Sequence, residues 1–176
     1  MVKLVRAGIA SPCTFVCFDG FDPGHCEYFQ AQSNCGTANC HQDAPQSGYL
    51  PNHNMDPAVV GSTKFAVSWK NTYNTNEMFY AKPLVFTPPG AANEQVIVVS
   101  NQNIVRVLDG LTGALVTSRA LDSPFLSSDT GGCGDIPNTV GITGTPIIDS
   151  ATNIMYLFSK GYKGGLFINM FQLETC

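Results

Sequence analysis

Short β-branched runs joined by very short links limit what this chain can fold into. Gln95-Val-Ile-Val-Val-Ser100, Ile104 to Asp109 and Ala114 to Ala120 each have the texture of a strand. Only Asn101-Gln-Asn103 and Gly110-Leu-Thr-Gly113 lie between them, and links of that length join antiparallel neighbours. Tyr80 to Thr87 is a further run, with Pro83 near its start, where a missing N–H is best tolerated. Lys82–Ala120 therefore reads as a four-stranded antiparallel meander. Phe65-Ala-Val-Ser-Trp-Lys70 reads as a separate strand ahead of it.

A weaker copy follows. Gly144-Thr-Pro-Ile-Ile-Asp149 echoes Ala81-Lys-Pro-Leu-Val-Phe86, and Ile154-Met-Tyr-Leu-Phe-Ser159 echoes Val96–Ser100. Leu166 to Leu173 then stands where Ile104–Asp109 stood, and no fourth strand follows. Pro83 and Pro146 are 63 residues apart, more than the roughly 40–50 of compact radial repeats; the excess lies in Asp122–Val140. Two copies of a four-stranded meander are the signature of a radial β repeat. The expected class is all-β.

Composition excludes several alternatives. Of 176 residues, 44% are hydrophobic and 12% charged, which separates the chain from charge-driven disordered sequences. Net charge is −4, and the nine Lys and Arg are scattered, whereas a nucleic-acid binder needs a basic patch to neutralise phosphates. No apolar run reaches the roughly 18–20 residues that cross a bilayer as a helix.

Residues 1–60 read as an irregular, cysteine-rich region distinct from 61–176. Five of the seven cysteines, Cys13, Cys17, Cys26, Cys35 and Cys40, fall there, with Cys133 and Cys176 further on. Such density points to structural disulfides and an oxidising, secreted setting. An odd count leaves at least one thiol spare or paired between chains. Lys3 and Arg6 followed by the apolar stretch Ala7–Phe18 resemble a signal segment over 1–18, against which stand Pro12, two cysteines and the lack of a small-residue cleavage site. Cys26, Cys35, Cys40 and His41 could instead ligate zinc. Their spacings of 9 and 5 lack close Cys-x-x-Cys pairs, so disulfides are the preferred reading.

Val96 to Leu121 resembles the repeat of quinoprotein-type β-propellers, in which a strand ending in Leu-Asp leads through a Thr-Gly turn to an outer strand. Asp109, Thr112 and Gly113 fit that pattern, with Asp109 accepting hydrogen bonds from the turn and Gly113 taking positive φ. Asp149 takes the corresponding strand-end position in the second copy. Cys133 to Asp149, Tyr80-Ala-Lys-Pro-Leu84 and Asp43 to Tyr49 are similar to junctions and lead-ins of secreted fungal members. The resemblance covers roughly residues 40–173. It implies one full blade over 80–120, an incomplete blade over 143–173, and the strand 65–70 completing a blade that is otherwise absent. A closed propeller takes about four to eight blades, so a truncated product or fragment is expected, with exposed strand edges prone to self-association.

Members of the family usually carry a Trp on the outer strand that locks blades together. Here Arg119 or a neighbour occupies that region, and Trp69 is the single Trp. The resemblance also raises a quinone-dependent oxidoreductase remnant holding pyrroloquinoline quinone with calcium. Asp109, Asp135 and Asp149 are its candidate carboxylates, but no adjacent Cys pair and no Trp floor accompany them. His25, His41 and His53 all lie in the N-terminal region, and no Gly-x-Ser-x-Gly elbow occurs. No catalytic, cofactor or metal residue is therefore assigned. The expected function is a non-catalytic secreted module for a protein or glycan, with Tyr49, Tyr73, Phe79 and Tyr80 in or beside loops and able to stack on such a partner, although core packing explains Phe79 and Tyr80 at least as well.

Overall fold

The computed structural model describes residues 2–7, 13–18, 26–30, 57–63, 65–130, 135–163, 166–168 and 171–174. These form antiparallel sheets, none of them closed, with one short helix. The first strands are β1 (Val2–Ala7), β2 (Cys13–Phe18) and β3 (Cys26–Gln30), followed by the single-turn helix α1 (Pro57–Val60) and β4 (Phe65–Asn71). Their sheet runs β3-β2-β1-β4: three consecutive antiparallel strands, with the fourth returning beside the first. Three strands stand among the described residues of the N-terminal region, and the rest of residues 1–56 lies outside the described residues. The strand expected at 65–70 is β4, which pairs with β1 from Ala7↔Phe65 to Val2↔Asn71.

The central sheet is the meander expected from the sequence, with narrower first-strand limits. β5 (Leu84–Phe86), β6 (Gln95–Val99), β7 (Ile104–Asp109) and β8 (Leu115–Ala120) lie in that order, each antiparallel to the next. Tyr80–Pro83 stays outside the ladder. The Lys82 N–H instead donates to Thr145 Oγ1 at 3.1 Å, and Pro83 has no N–H to give.

Successive strand residues point to opposite faces, and on β6 both faces are buried. Val96 and Val98 pack with Val85 and Leu108 against Trp69 and Phe79. Ile97 and Val99 pack with Phe86 and Val105 against Ile142, Met155 and Leu157. The sheet thus separates two cores. The β4 side covers one face, and the sheet that follows covers the other. β8 is exposed along its whole length, forming the outer edge.

After β8 the chain departs from a simple second copy. β9 (Ser123–Leu126), β10 (Thr139–Val140), β13 (Gly161–Lys163) and β14 (Leu166–Ile168) share a sheet ordered β10-β9-β13-β14. β11 (Ile147–Asp149), β12 (Ile154–Leu157) and β15 (Phe171–Glu174) form a sheet ordered β11-β12-β15. The single strand expected over 166–173 is therefore two strands in different sheets. The excess segment 122–140 supplies β9 and β10, which give the hairpin β13–β14 its partner.

Trp69 ties the first sheet to the central one. Its indole N–H donates to the Gly110 carbonyl at 3.1 Å, and the neighbouring Asn71 amide donates to the Gly113 carbonyl at 2.7 Å. Gly113 has φ of 74°, and a Cβ there would lie 2.5 Å from the indole ring. Glycine is required twice over, by conformation and by space. Gly113→Ala is expected to cost about 1–3 kcal/mol through overpacking alone. Urea unfolding checks the loss, and emission from the sole tryptophan, read in the folded variant, shifts to the red as the ring is displaced.

Candidate functional site

Four arrangements stand out among the described residues. The first is the turn after β7. Asp109 Oδ1 accepts from the Leu111 and Thr112 N–H groups at 3.0 and 2.7 Å and from the Thr112 hydroxyl at 2.8 Å. Its Oδ2 accepts from the Asn93 amide at 2.8 Å. The turn after β11 repeats the device, with Asp149 accepting from the Ala151 N–H at 3.0 Å and the Thr152 hydroxyl at 2.7 Å. Asn153 takes positive φ, 57°, where the first turn has Gly113. The hydrogen bond from Asn93 leads those that hold the Asp109 carboxyl below its ordinary value, and that from Thr152 does so for Asp149. Both carboxylates are occupied in capping their own turns.

The second arrangement is an ion pair set into the apolar face shared with Trp69. Arg106 donates to both oxygens of Glu77, Nη1 to Oε1 and Nη2 to Oε2. The Glu77 side chain is 1% exposed and that of Arg106 13%, so each charge needs the other. The guanidinium carbon sits 4.2 Å from the Tyr73 ring centroid, within cation–π range. Burial raises the Tyr73 phenol above its ordinary value, and the Arg106 charge opposes it.

The third is a polar hub at the β6–β7 turn. Asn101 and Asn103 are fully buried. The Asn101 side chain accepts from the Met78 N–H at 2.8 Å and donates to the Thr139 carbonyl at 3.2 Å. The Asn103 amide donates to the Asp122 and Lys160 carbonyls at 3.0 and 2.9 Å. Gly141 lies against both, since a Cβ there would come 2.4 Å from the Asn101 carbonyl oxygen. This hub joins four separate chain segments to the central sheet.

The fourth is an apolar stripe on the β11–β12 pair. Ile148, Met155 and Leu157 face the central sheet. On the opposite side Ile147 and its cross-strand partner Tyr156 are each 46% exposed, and Phe158 is 68% exposed. The sequence analysis missed this stripe. Its alternation was readable in Ile154 to Phe158, but both faces are apolar and the pattern does not say which is covered.

The aromatic candidates of the sequence fare differently. Phe79 is buried, Tyr73 lies under Arg106, Tyr80 is half-buried, and Tyr49 lies outside the described residues. Asp135 is exposed. Among the disulfide candidates, Cys13, Cys17 and Cys26 fall on described strands, whereas Cys35 and Cys40 do not. The zinc set keeps only Cys26 inside the described residues, with Cys35, Cys40 and His41 outside. Among the described residues no cluster of three or more His, Cys, Asp or Glu could hold a metal ion, and no helix is long and apolar enough to cross a membrane. Comparisons with protein-family models, curated proteins and solved structures found no match to the chain.

Two predictions test these arrangements. Glu77→Ala leaves Arg106 buried and unpaired and is expected to cost roughly 3–5 kcal/mol, most of which the double variant Glu77→Leu with Arg106→Met recovers; chemical denaturation of the single and double variants measures both. The turn carboxylates make stability depend on acid. Their folded values lie below the ordinary 3.8, so their contribution is present above 3.8 and is lost as pH falls through the lower folded value. Asp109→Asn flattens that acid limb relative to the parent chain, as read by thermal midpoints across an acid series.

Proposed function

We propose that the chain is a section of a quinoprotein-type β-propeller that serves as a non-catalytic, secreted binding module for glycans. The observation that carries this reading is Trp69 docked on the 109–113 turn of the neighbouring sheet. An outer-strand Trp locking one blade to the next is what the family resemblance implies. The outer strand of the 80–120 repeat has no such Trp; we read Trp69 on β4, an edge strand of its sheet, as serving that role, since it engages the Asp109–Gly113 turn that carries the resemblance. In this reading the central sheet, whose strand β6 is buried on both faces, is a blade between two others.

Glycan binding is assigned to the β11–β12 stripe. Tyr156 and Phe158 offer flat rings beside Ile147, and exposed aromatic faces of this kind stack on sugar rings. The exposed edge β8, with Leu115 and Val116 open to solvent, suits pairing with a further strand and supplies a route to self-association.

A glycan array probed with the labelled full chain tests the reading. The expected result is saturable binding to a defined glycan class, weakened at least tenfold, or about 1.4 kcal/mol, by Tyr156→Ser combined with Phe158→Ser, with Trp69 emission unchanged. A silent array, or binding indifferent to that double substitution, overturns it. Alcohol-dependent dye reduction by the chain supplied with pyrroloquinoline quinone and calcium would move the assignment to an oxidoreductase remnant.

A further inference from the structure

We propose that Cys17 and Cys26 form a disulfide across the β2–β3 hairpin. The register places them directly opposite one another, at the last of five consecutive pairings that begin with Cys13↔Gln30. Opposed residues of an antiparallel pair have Cα atoms about 4.5–5.5 Å apart, inside the roughly 4.4–6.8 Å that a disulfide spans. They also share one face of the sheet. Spacing of the two cysteines in sequence does not reveal this, because register depends on where the hairpin turns.

The same geometry separates Cys13 from both partners. It lies four residues along β2 from Cys17, about 13 Å at the usual rise of an extended strand, and its register partner is Gln30. Cα atoms more than roughly 7 Å apart cannot be bridged without backbone movement. Of the three cysteines on described strands, Cys17 and Cys26 are therefore the opposed pair, and Cys13 is left for a partner elsewhere. The assignment also removes Cys26 from the zinc set, since a sulfur in a disulfide is no thiolate ligand.

The oxidant is a low-molecular-weight disulfide such as glutathione disulfide. The thiolate of one cysteine attacks it, forming a protein–glutathione mixed disulfide and releasing one glutathione thiolate. The second cysteine thiolate attacks the protein sulfur of that intermediate, forming the intramolecular bond and releasing the second glutathione. Two protein thiols are oxidised, one glutathione disulfide is reduced to two glutathione thiols, and the two thiol protons end on those products. The bridge pins β3, the edge strand that comes up against β5 of the central sheet. It is independent of the glycan-binding assignment.

Peptide mapping of the full chain, equilibrated in a glutathione redox buffer and alkylated without reduction, decides the matter. Cleavage after Phe15, Phe18, Asp19 and Glu27 separates Cys13, Cys17 and Cys26 into three different peptides, apart from Cys35 and Cys40. The expected product is a linked pair containing Val16-Cys17-Phe18 and the peptide bearing Cys26. Its mass is two hydrogens below the sum of the free peptides, and it splits into both on reduction. Alkylated Cys17 and Cys26, linkage of either to another cysteine, or a Cys26 that reacts only after zinc is chelated would overturn the assignment.

Discussion

β6 is buried on both of its faces, and the rest of the structure follows from that constraint. A two-sided apolar strand cannot end a stack of sheets. Val96 and Val98 need a cover on one side, Ile97 and Val99 on the other. The covers come from opposite directions along the chain, β4 from before the central sheet and Ile142, Met155 and Leu157 from after it. The meander is local and folds from short hairpins, but its burial is long-range. Its stability therefore depends on segments that are far away in sequence.

Polar devices fix how those covers sit. Apolar packing alone tolerates sliding, whereas Trp69 must meet a particular carbonyl, that of Gly110, and a turn without a side chain at Gly113. Glu77 and Arg106 add a second directional tie on the same face. At the β6–β7 turn, Asn101 and Asn103 hold the backbone at 78, 122, 139 and 160. Buried pairs and amides of this kind contribute little net free energy when matched and cost much when mismatched. They select one arrangement among several of similar apolar area.

The sequence made the local half of this legible. The β6–β7 and β7–β8 links were readable because Asn, Gly and Thr punctuate a β-branched run, and the Asp109 cap because its partners lie two and three residues on. Trp69 was visible, but its acceptor is 41 residues away, and Glu77 and Arg106 are 29 apart. No periodicity announces either contact. The run 166–173 was misread as one strand because its hydrophobic texture is continuous, and only its partners, β13 and β12, divide it. At the N-terminus, cysteine density and a leader-like charge pattern outweighed the β-branched residues of Val2–Ala7 and Cys13–Phe18. Competition between signals, rather than lack of one, hid those strands.

The relation between the sheets bears on which β architecture fits best. A two-layer sandwich buries one face of each sheet and leaves the other to solvent. Here the central sheet has a cover on each side, which a sandwich does not provide for. The first sheet also meets the central one at two places in matching order: its edge β3 approaches the edge β5, and its opposite edge β4 sends Trp69 to the turn between β7 and β8. The central sheet is thus the middle layer of three, held on one side by Trp69 and Phe79 and on the other by Ile142, Met155 and Leu157, while Ile147, Tyr156 and Phe158 on the far side of β11–β12 stay open to solvent.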